Sequence, residues 1–211
     1  MKQGILIGVS FALVLLSGCA SHRGPAWTSM AEQSHTWGYY SGDPVMRWNP
    51  DGRNMTVLTE LRYTDPKGEV WVAPPGSVTD GASIPRSLWS ITGGPFEGKY
   101  RNASILHDVA YDQHNRPWQE CDRMFYNACR CSGVGAVEAK TMYYALYKFG
   151  HHWKYEIKKA RPVKREKKDK AEKIPRAIPV DQADVDATRD WIRGNEPSLE
   201  QIEQRADTER Q

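Results

Sequence analysis

Aromatic and apolar residues are concentrated in one central part of this 211-residue chain. All ten Tyr residues and nearly all of the eight Trp residues lie before residue 156. Large aromatic side chains contribute most of the apolar area that a fold can bury. Residues 37–155 are therefore the only segment able to form a sizeable core, and we predict a single globular domain there.

Charge and composition exclude several classes of protein. Lys and Arg total 29 against 26 Asp and Glu, giving a formal net charge of +3. That surplus is too small to indicate a nucleic-acid partner, and we predict none. The composition also excludes a polytopic membrane protein, a collagen-like chain and a wholly disordered one.

The amino terminus has the pattern of an export signal. Lys2 precedes an apolar stretch of about thirteen residues, 4–16, which is too short to cross a bilayer of roughly 30 Å as a helix. The stretch ends in Leu-Ser-Gly followed by Cys19, which resembles the lipobox of bacterial lipoproteins. An ordinary secretory signal with a chance cysteine is the alternative.

The lipobox resemblance implies that residues 1–18 are a signal peptide and that Cys19 carries covalent lipid. The residue after Cys19 is Ala20 rather than Asp, which favours the outer membrane with the domain facing the periplasm. Residues 19–36 then form the lipidated cysteine and a tether. Several acyl chains anchor firmly, because each buried methylene adds about 0.8 kcal/mol.

The composition changes again after residue 155. Residues 156–180 form a basic, proline-containing linker, and residues 181–211 form an acidic tail that is partly helical. Residues 198–201 resemble a capping box that opens a helix with Leu199, Ile202 and Ala206 on one side. This region lacks an apolar face of core size, so we expect the domain to fold without residues 156–211.

Within the domain, the pattern changes from strand to helix. Residues 56–63 and 70–72 are typical of strands around a turn at 65–68, and a short helix is predicted to start at Ser83. Three longer helical patterns follow at about 100–113, 118–131 and 136–153. We predict an α+β fold, in which a small antiparallel β-hairpin layer is followed by a bundle of three main helices.

Three cysteines remain after Cys19. On one helix Cys121 and Cys129 would be about 12 Å apart, beyond the 7 Å or so that a disulfide tolerates. The chain has no Cys-x-x-Cys pair, which argues against a structural zinc site. We expect buried thiols, with Cys131 as the exposed exception.

Two polar residues on the first two long helices are predicted to meet. His107 and Asp122 each lie at the edge of an apolar helix face, at equal distances from the turn that joins the helices. Antiparallel neighbours packed about 8–10 Å apart bring such side chains together. The pair is either a general base with its orienting carboxylate or a hydrogen bond that ties two helices together.

A longer set of motifs resembles a bacterial and phage domain family that is known only as a domain of unknown function. The resemblance covers most of residues 56–153 and implies a domain without implying an activity. It rests on residues 78–85, 94–95, 105–108, Asp122, Phe125, 142–143 and 149–150.

The helix around His107 is also similar to the His-Asp-x-x-Tyr helix of secreted phospholipases A2. That resemblance implies that His107 activates water, Asp122 orients it and Tyr111 supports the site. It further implies that Asp108 holds Ca²⁺ together with backbone carbonyls, here those of Gly93 and Gly94.

The chain departs from the phospholipase pattern at two places. Ala103 and Ser104 stand where paired cysteines usually precede the histidine, and the calcium loop is reduced to Gly-Gly-Pro. The missing cysteines weaken the resemblance to the disulfides of that family, and the shortened loop weakens the resemblance to its calcium site.

Three functions follow as expectations. The first is a lipid-anchored hydrolase that attacks a phospholipid ester with water. The second is a non-enzymatic module, such as a phage-exclusion lipoprotein, that binds an envelope protein and uses the His–Asp pair structurally. The third is another hydrolase or metal site, with Asp80 and Ser83 brought near His107. An open cleft at these residues favours an enzyme, and a sealed one favours a structural role.

Overall fold

The computed structural model describes residues 35–81, 94, 96–155 and 179–209. The predicted signal peptide, Cys19, most of the tether and nearly all of the basic linker lie outside these residues. Within the described part, six strands precede five helices, which confirms the α+β prediction. The strands are β1 Tyr39–Ser41, β2 Met46–Trp48, β3 Met55–Val57, β4 Leu61–Thr64, β5 Val70–Ala73 and β6 Val78–Thr79. The helices are α1 Arg101–Gln113, α2 Trp118–Cys131, α3 Ala136–Phe149, α4 Gln182–Asn195 and α5 Leu199–Thr208.

The strands form two antiparallel sheets instead of one hairpin layer. One sheet has the order β1-β4-β5, and the other has the order β2-β3-β6. The predicted turn at 65–68 joins β4 to β5, closed by a hydrogen bond from Gly68 N to Asp65 O of 2.9 Å. The prediction of a single strand over residues 56–63 is wrong, because this stretch contains parts of β3 and β4, which belong to different sheets.

The helices α1 and α2 form the predicted hairpin, and α2 has the predicted bounds. The third helix ends at Phe149 instead of 153, because Gly150 turns into extended backbone at φ −64° and ψ 167°. Trp153 nevertheless stays in the core, where its indole N–H donates to the carbonyl of Arg116 at 3.1 Å.

Helix α3 is the centre of the helical layer. Every residue from 141 to 149 is buried, because α2 packs on one side of the helix and α4 and α5 pack on another. The Met, Tyr and Leu side chains of this helix are therefore part of the core.

The C-terminal helix pair, α4 and α5, is part of the same core. Four of its apolar side chains are 0–1% exposed, namely Val185, Ile192, Ile202 and Ala206. Asp181 caps α4, and the predicted capping box between Ser198 and Gln201 opens α5. Residues 182–208 therefore do have an apolar face that packs on the core, which removes the reason given for expecting the domain to fold without residues 156–211.

Charged groups reinforce the attachment of the C-terminal helix pair to α3. The Lys148 ammonium lies 2.7 Å from an oxygen of Asp184 and 2.8 Å from one of Glu209, and it also donates to the Tyr144 hydroxyl. Burial opposes the charge on Lys148, but the hydrogen bonds to Asp184 and Glu209 outweigh it and raise the pKa of Lys148 above its ordinary value. The ammonium is thus held in its charged form at the contact between α3, α4 and α5.

The three remaining cysteines are free thiols, as predicted. Cys121 and Cys129 are buried, and Cys131 is partly exposed. Burial raises the pKa of Cys121 to about 12, so this sulfur is protonated at neutral pH.

A helix that crosses a bilayer is about 20 residues long and predominantly apolar. No helix within residues 35–81, 96–155 or 179–209 is long and apolar enough to do so.

Candidate functional site

The predicted pair is in contact inside the α1–α2 hairpin. His107 Nε2 lies 2.8 Å from Asp122 Oδ1. The Tyr111 hydroxyl, one helical turn after His107, donates to the same oxygen at 2.5 Å. Asp122 Oδ1 is therefore shared by an imidazole and a phenol, and we call these three residues the internal cluster.

Aromatic rings enclose the internal cluster. The His107 ring lies 4.0 Å from the Tyr111 ring and 5.3 Å from the Phe125 ring, between ring centres. Trp153 covers Tyr111 edge-on at 4.8 Å. Burial, with the negative charge of Asp122, raises the pKa of Tyr111 well above its ordinary value. Tyr111 therefore keeps its proton and remains a hydrogen-bond donor.

Two members of the internal cluster, His107 and Asp122, are almost fully buried, whereas Tyr111 is partly exposed. The side chain of His107 is 1% exposed and that of Asp122 is 0% exposed. A general base must come within hydrogen-bond reach of the proton that it takes from a substrate or water. In this conformation the cluster joins α1 to α2, and its His107 and Asp122 present almost no surface to a ligand.

Asp108 joins α1 to the second sheet. Its Oδ2 accepts hydrogen bonds from the Thr79 hydroxyl, at the end of β6, and from Gly81 N at 3.0 Å. Asp80, between these two, forms an ion pair of 2.9 Å with Arg53 at the surface. Asp108 and Asp80 thus have separate roles in the contacts of the described residues, one between layers and one at the periphery.

Two of the oxygen atoms that the phospholipase resemblance assigns to calcium are engaged in other contacts. Calcium takes six to eight oxygen ligands. The Oδ2 atom of Asp108 is occupied by two donors, and the carbonyl of Gly94 accepts the Tyr100 hydroxyl at 2.5 Å. No group of three or more His, Cys, Asp or Glu side chains in the described ranges could hold a metal ion. The other loop carbonyl, that of Gly93, and the predicted cap Ser83 lie outside the described residues.

A groove between the second sheet and the start of α1 was missed by sequence reasoning. We call it the Trp48 groove; its volume is about 440 Å³. Its described lining consists of Asp43, Pro44, Met46, Trp48, Met55, Phe96, Arg101 and Asn102. The Trp48 side chain is 56% exposed and packs edge-on against Phe96 at 5.6 Å. The sequence pattern that could have indicated this groove is the alternation of Met46 and Trp48. This pattern is hard to recognise because β2 has only three residues.

Comparisons with known proteins support a domain family and give no activity. Residues 55–146 match a family described as protein of unknown function (DUF1353). The chain is 38% identical over 130 residues to an uncharacterized protein, y4jT, of Sinorhizobium fredii (strain NBRC 101917 / NGR234), a match covering 61% of this chain and 39% of the relative. It is 37% identical over 105 residues to a second uncharacterized protein of that strain, y4iH, covering 50% of this chain and 44% of the relative. The chain thus spans less than half of each of these relatives, and no solved structure matches it significantly.

Proposed function

We propose that this chain is a lipid-anchored envelope protein of the outer membrane whose globular domain binds a partner and does not catalyse a reaction. The internal cluster of His107, Tyr111 and Asp122 is then a strut between two helices. The observation that carries this proposal is the near-complete burial of His107 and Asp122.

Hydrogen bonding around the internal cluster supports a structural role. Asp122 Oδ1 accepts from two side chains on α1, which offsets part of the cost of burying this carboxylate. Asp108, next along the helix, is held by β6 and its following turn. Together these carboxylates tie α1 to α2 and to the second sheet.

The second candidate is a hydrolase that resembles phospholipase A2. It is favoured by one specific observation: His107 and Tyr111 both contact Asp122 Oδ1, the grouping that the resemblance implies. Catalysis would require the imidazole to reach water and an ester carbonyl, so the domain would have to open around His107.

An ester-release assay separates the two candidates. The purified full-length chain and its His107→Ala variant are mixed with phosphatidylglycerol vesicles, with calcium or with a chelator, and fatty acid release and melting temperature are measured. We expect no release above the protein-free blank under either condition, and a lower melting temperature for His107→Ala. Release by the wild-type chain that disappears in a His107→Ala protein of unchanged melting temperature would establish the hydrolase instead.

The anchor is tested separately. Cys19→Ser removes the sulfur that accepts lipid, so this variant should take up no labelled palmitate and should leave the membrane fraction. Ala20→Ser is the matched control, since it keeps the cysteine and should behave like the wild type. Undiminished labelling and membrane association of Cys19→Ser would contradict the lipoprotein part of the proposal.

A further inference from the structure

We propose that the Trp48 groove is a saccharide-binding site that takes the sugar rings of an uncharged glycan strand of the cell-wall type. The choice of a cell-wall glycan rests on the proposed function, because that function places the domain in the periplasm. The chemistry of the groove itself comes from residues of β2, β3 and the start of α1.

An exposed aromatic platform is the first feature of this site. Trp48 is 56% exposed, yet its ring contacts the Phe96 ring in a T-shaped pair, with 5.6 Å between ring centres and an interplanar angle of 86°. Trp48 also pairs across the sheet with Met55, so its base is fixed by the register of β2 and β3. A large aromatic ring that is held by one neighbour and open to solvent elsewhere can pack against the flat, apolar face of a pyranose.

Polar groups surround the platform. Asp43, Arg101 and Asn102 line the same groove and supply a carboxylate, a guanidinium and an amide. The formal charges of Asp43 and Arg101 cancel, so the lining offers hydrogen-bonding groups without a net charge that would attract a strongly charged ligand. Carboxylate oxygens accept from sugar hydroxyls, and guanidinium and amide N–H groups donate to them.

The groove lies beside the core, where side chains no longer fill the space between the second sheet and α1. Met46 pairs with the fully buried Val57, but Trp48, two residues farther along β2, is mostly exposed. The opposite wall, at the start of α1, is fixed because the buried Tyr100 immediately before this helix donates a hydrogen bond to the Gly94 carbonyl. A site built from such fixed elements loses little freedom when a ligand binds.

The size of the groove matches one or two sugar rings. Pockets for small ligands in proteins are typically about 300–1,000 Å³, and they combine apolar walls with a few placed polar groups. The groove, at about 440 Å³, lies near the lower end of that range. A glycan strand would therefore place a short part of its length in the groove and continue into solvent on either side.

Titration calorimetry with tri-N-acetylchitotriose tests this site on the full-length chain in mild detergent. We expect saturable binding by the wild type, and at least a tenfold loss of affinity in Trp48→Ala, because about 1.4 kcal/mol of stacking corresponds to a factor of ten. Asn102→Ala should also weaken binding. Tyr39→Ala is the matched control, since Tyr39 is 46% exposed on the other sheet and should bind like the wild type.

The outcomes separate this inference from the proposed function. Absence of binding by the wild type, or equal affinity of Trp48→Ala and the wild type, would overturn the saccharide site. Binding of maltotriose as tight as that of tri-N-acetylchitotriose would overturn the cell-wall assignment. The proposed function would be overturned by ester hydrolysis or by a missing lipid anchor. Neither result changes the outcome of the binding assay, because the assay contains no ester substrate and needs no membrane attachment.

Discussion

Ending the chain after Tyr155 should abolish the cooperative thermal transition of the domain. This truncation removes α4 and α5, whose Val185, Ile192 and Ile202 are 0–1% exposed. Burying a side chain of this kind contributes about 1.5–3 kcal/mol, so the three together contribute roughly 5–9 kcal/mol. That sum is comparable to the whole stability of a typical domain, about 5–15 kcal/mol. Thermal unfolding followed by circular dichroism, together with dye binding to exposed apolar surface, measures the effect.

Single substitutions in the full-length chain measure how much individual side chains of α4 contribute to stability. Ile192→Ala should cost about 2–5 kcal/mol, because it leaves a cavity against α3. Arg193→Ala is the matched control, since the Arg193 side chain is 62% exposed and pairs only with Asp190 in the described contacts. Its effect should stay within about 0.5 kcal/mol. A truncated chain that melts cooperatively near the wild-type temperature would show that α4 and α5 are dispensable.

Asp122→Ala should cost about 3 kcal/mol of unfolding free energy. It leaves the His107 imidazole and the Tyr111 hydroxyl buried without the oxygen that they share, and a stranded buried group costs about 1–3 kcal/mol. For a chain of this size, each kcal/mol corresponds to about 2–4 °C, so the melting temperature should fall by roughly 6–12 °C. Thermal melts of the purified variant measure this shift.

Two further variants control for the loss of a carboxylate as such. Asp122→Asn keeps an acceptor oxygen and should lose only about 1 kcal/mol. Asp112→Ala removes an exposed carboxylate from α1 and should leave the melting temperature nearly unchanged. If Asp122→Ala melted like the wild type, the internal cluster would not be a strut and the proposed function would lose its support.

The contact between His107 and Asp122 could be predicted because helix geometry is local and regular. Two helices joined by a short turn place residues at equal distances from that turn side by side, and the observed distance of 2.8 Å agrees. Burial could not be predicted in the same way. It depends on Phe125, Tyr111 and Trp153, and Trp153 reaches the site only because α3 ends early, at Phe149.

Strand pairing and the acidic segment show where local patterns fail. Residues 56–63 have the composition of one strand, but partner choice divides them between two sheets, and pairing partners are not encoded in alternation. In α4 and its cap, the four aspartates from 181 to 190 obscured a row of buried residues, Val185, Thr188 and Ile192. These residues follow the helical spacing i, i+3 and i+7, but the face that they form is narrow. No surface was predicted against which this face could pack.

The position of α3 between α2 and the C-terminal helix pair also sets an order for biogenesis. A chain that leaves a ribosome or a translocation pore amino end first delivers α3 well before residues 182–209. The outer side of α3, including Tyr144 and Lys148, therefore stays uncovered until the last part of the chain has emerged. During that interval it is a surface that a chaperone can hold and that favours aggregation, so maturation should be most sensitive to conditions at its final step.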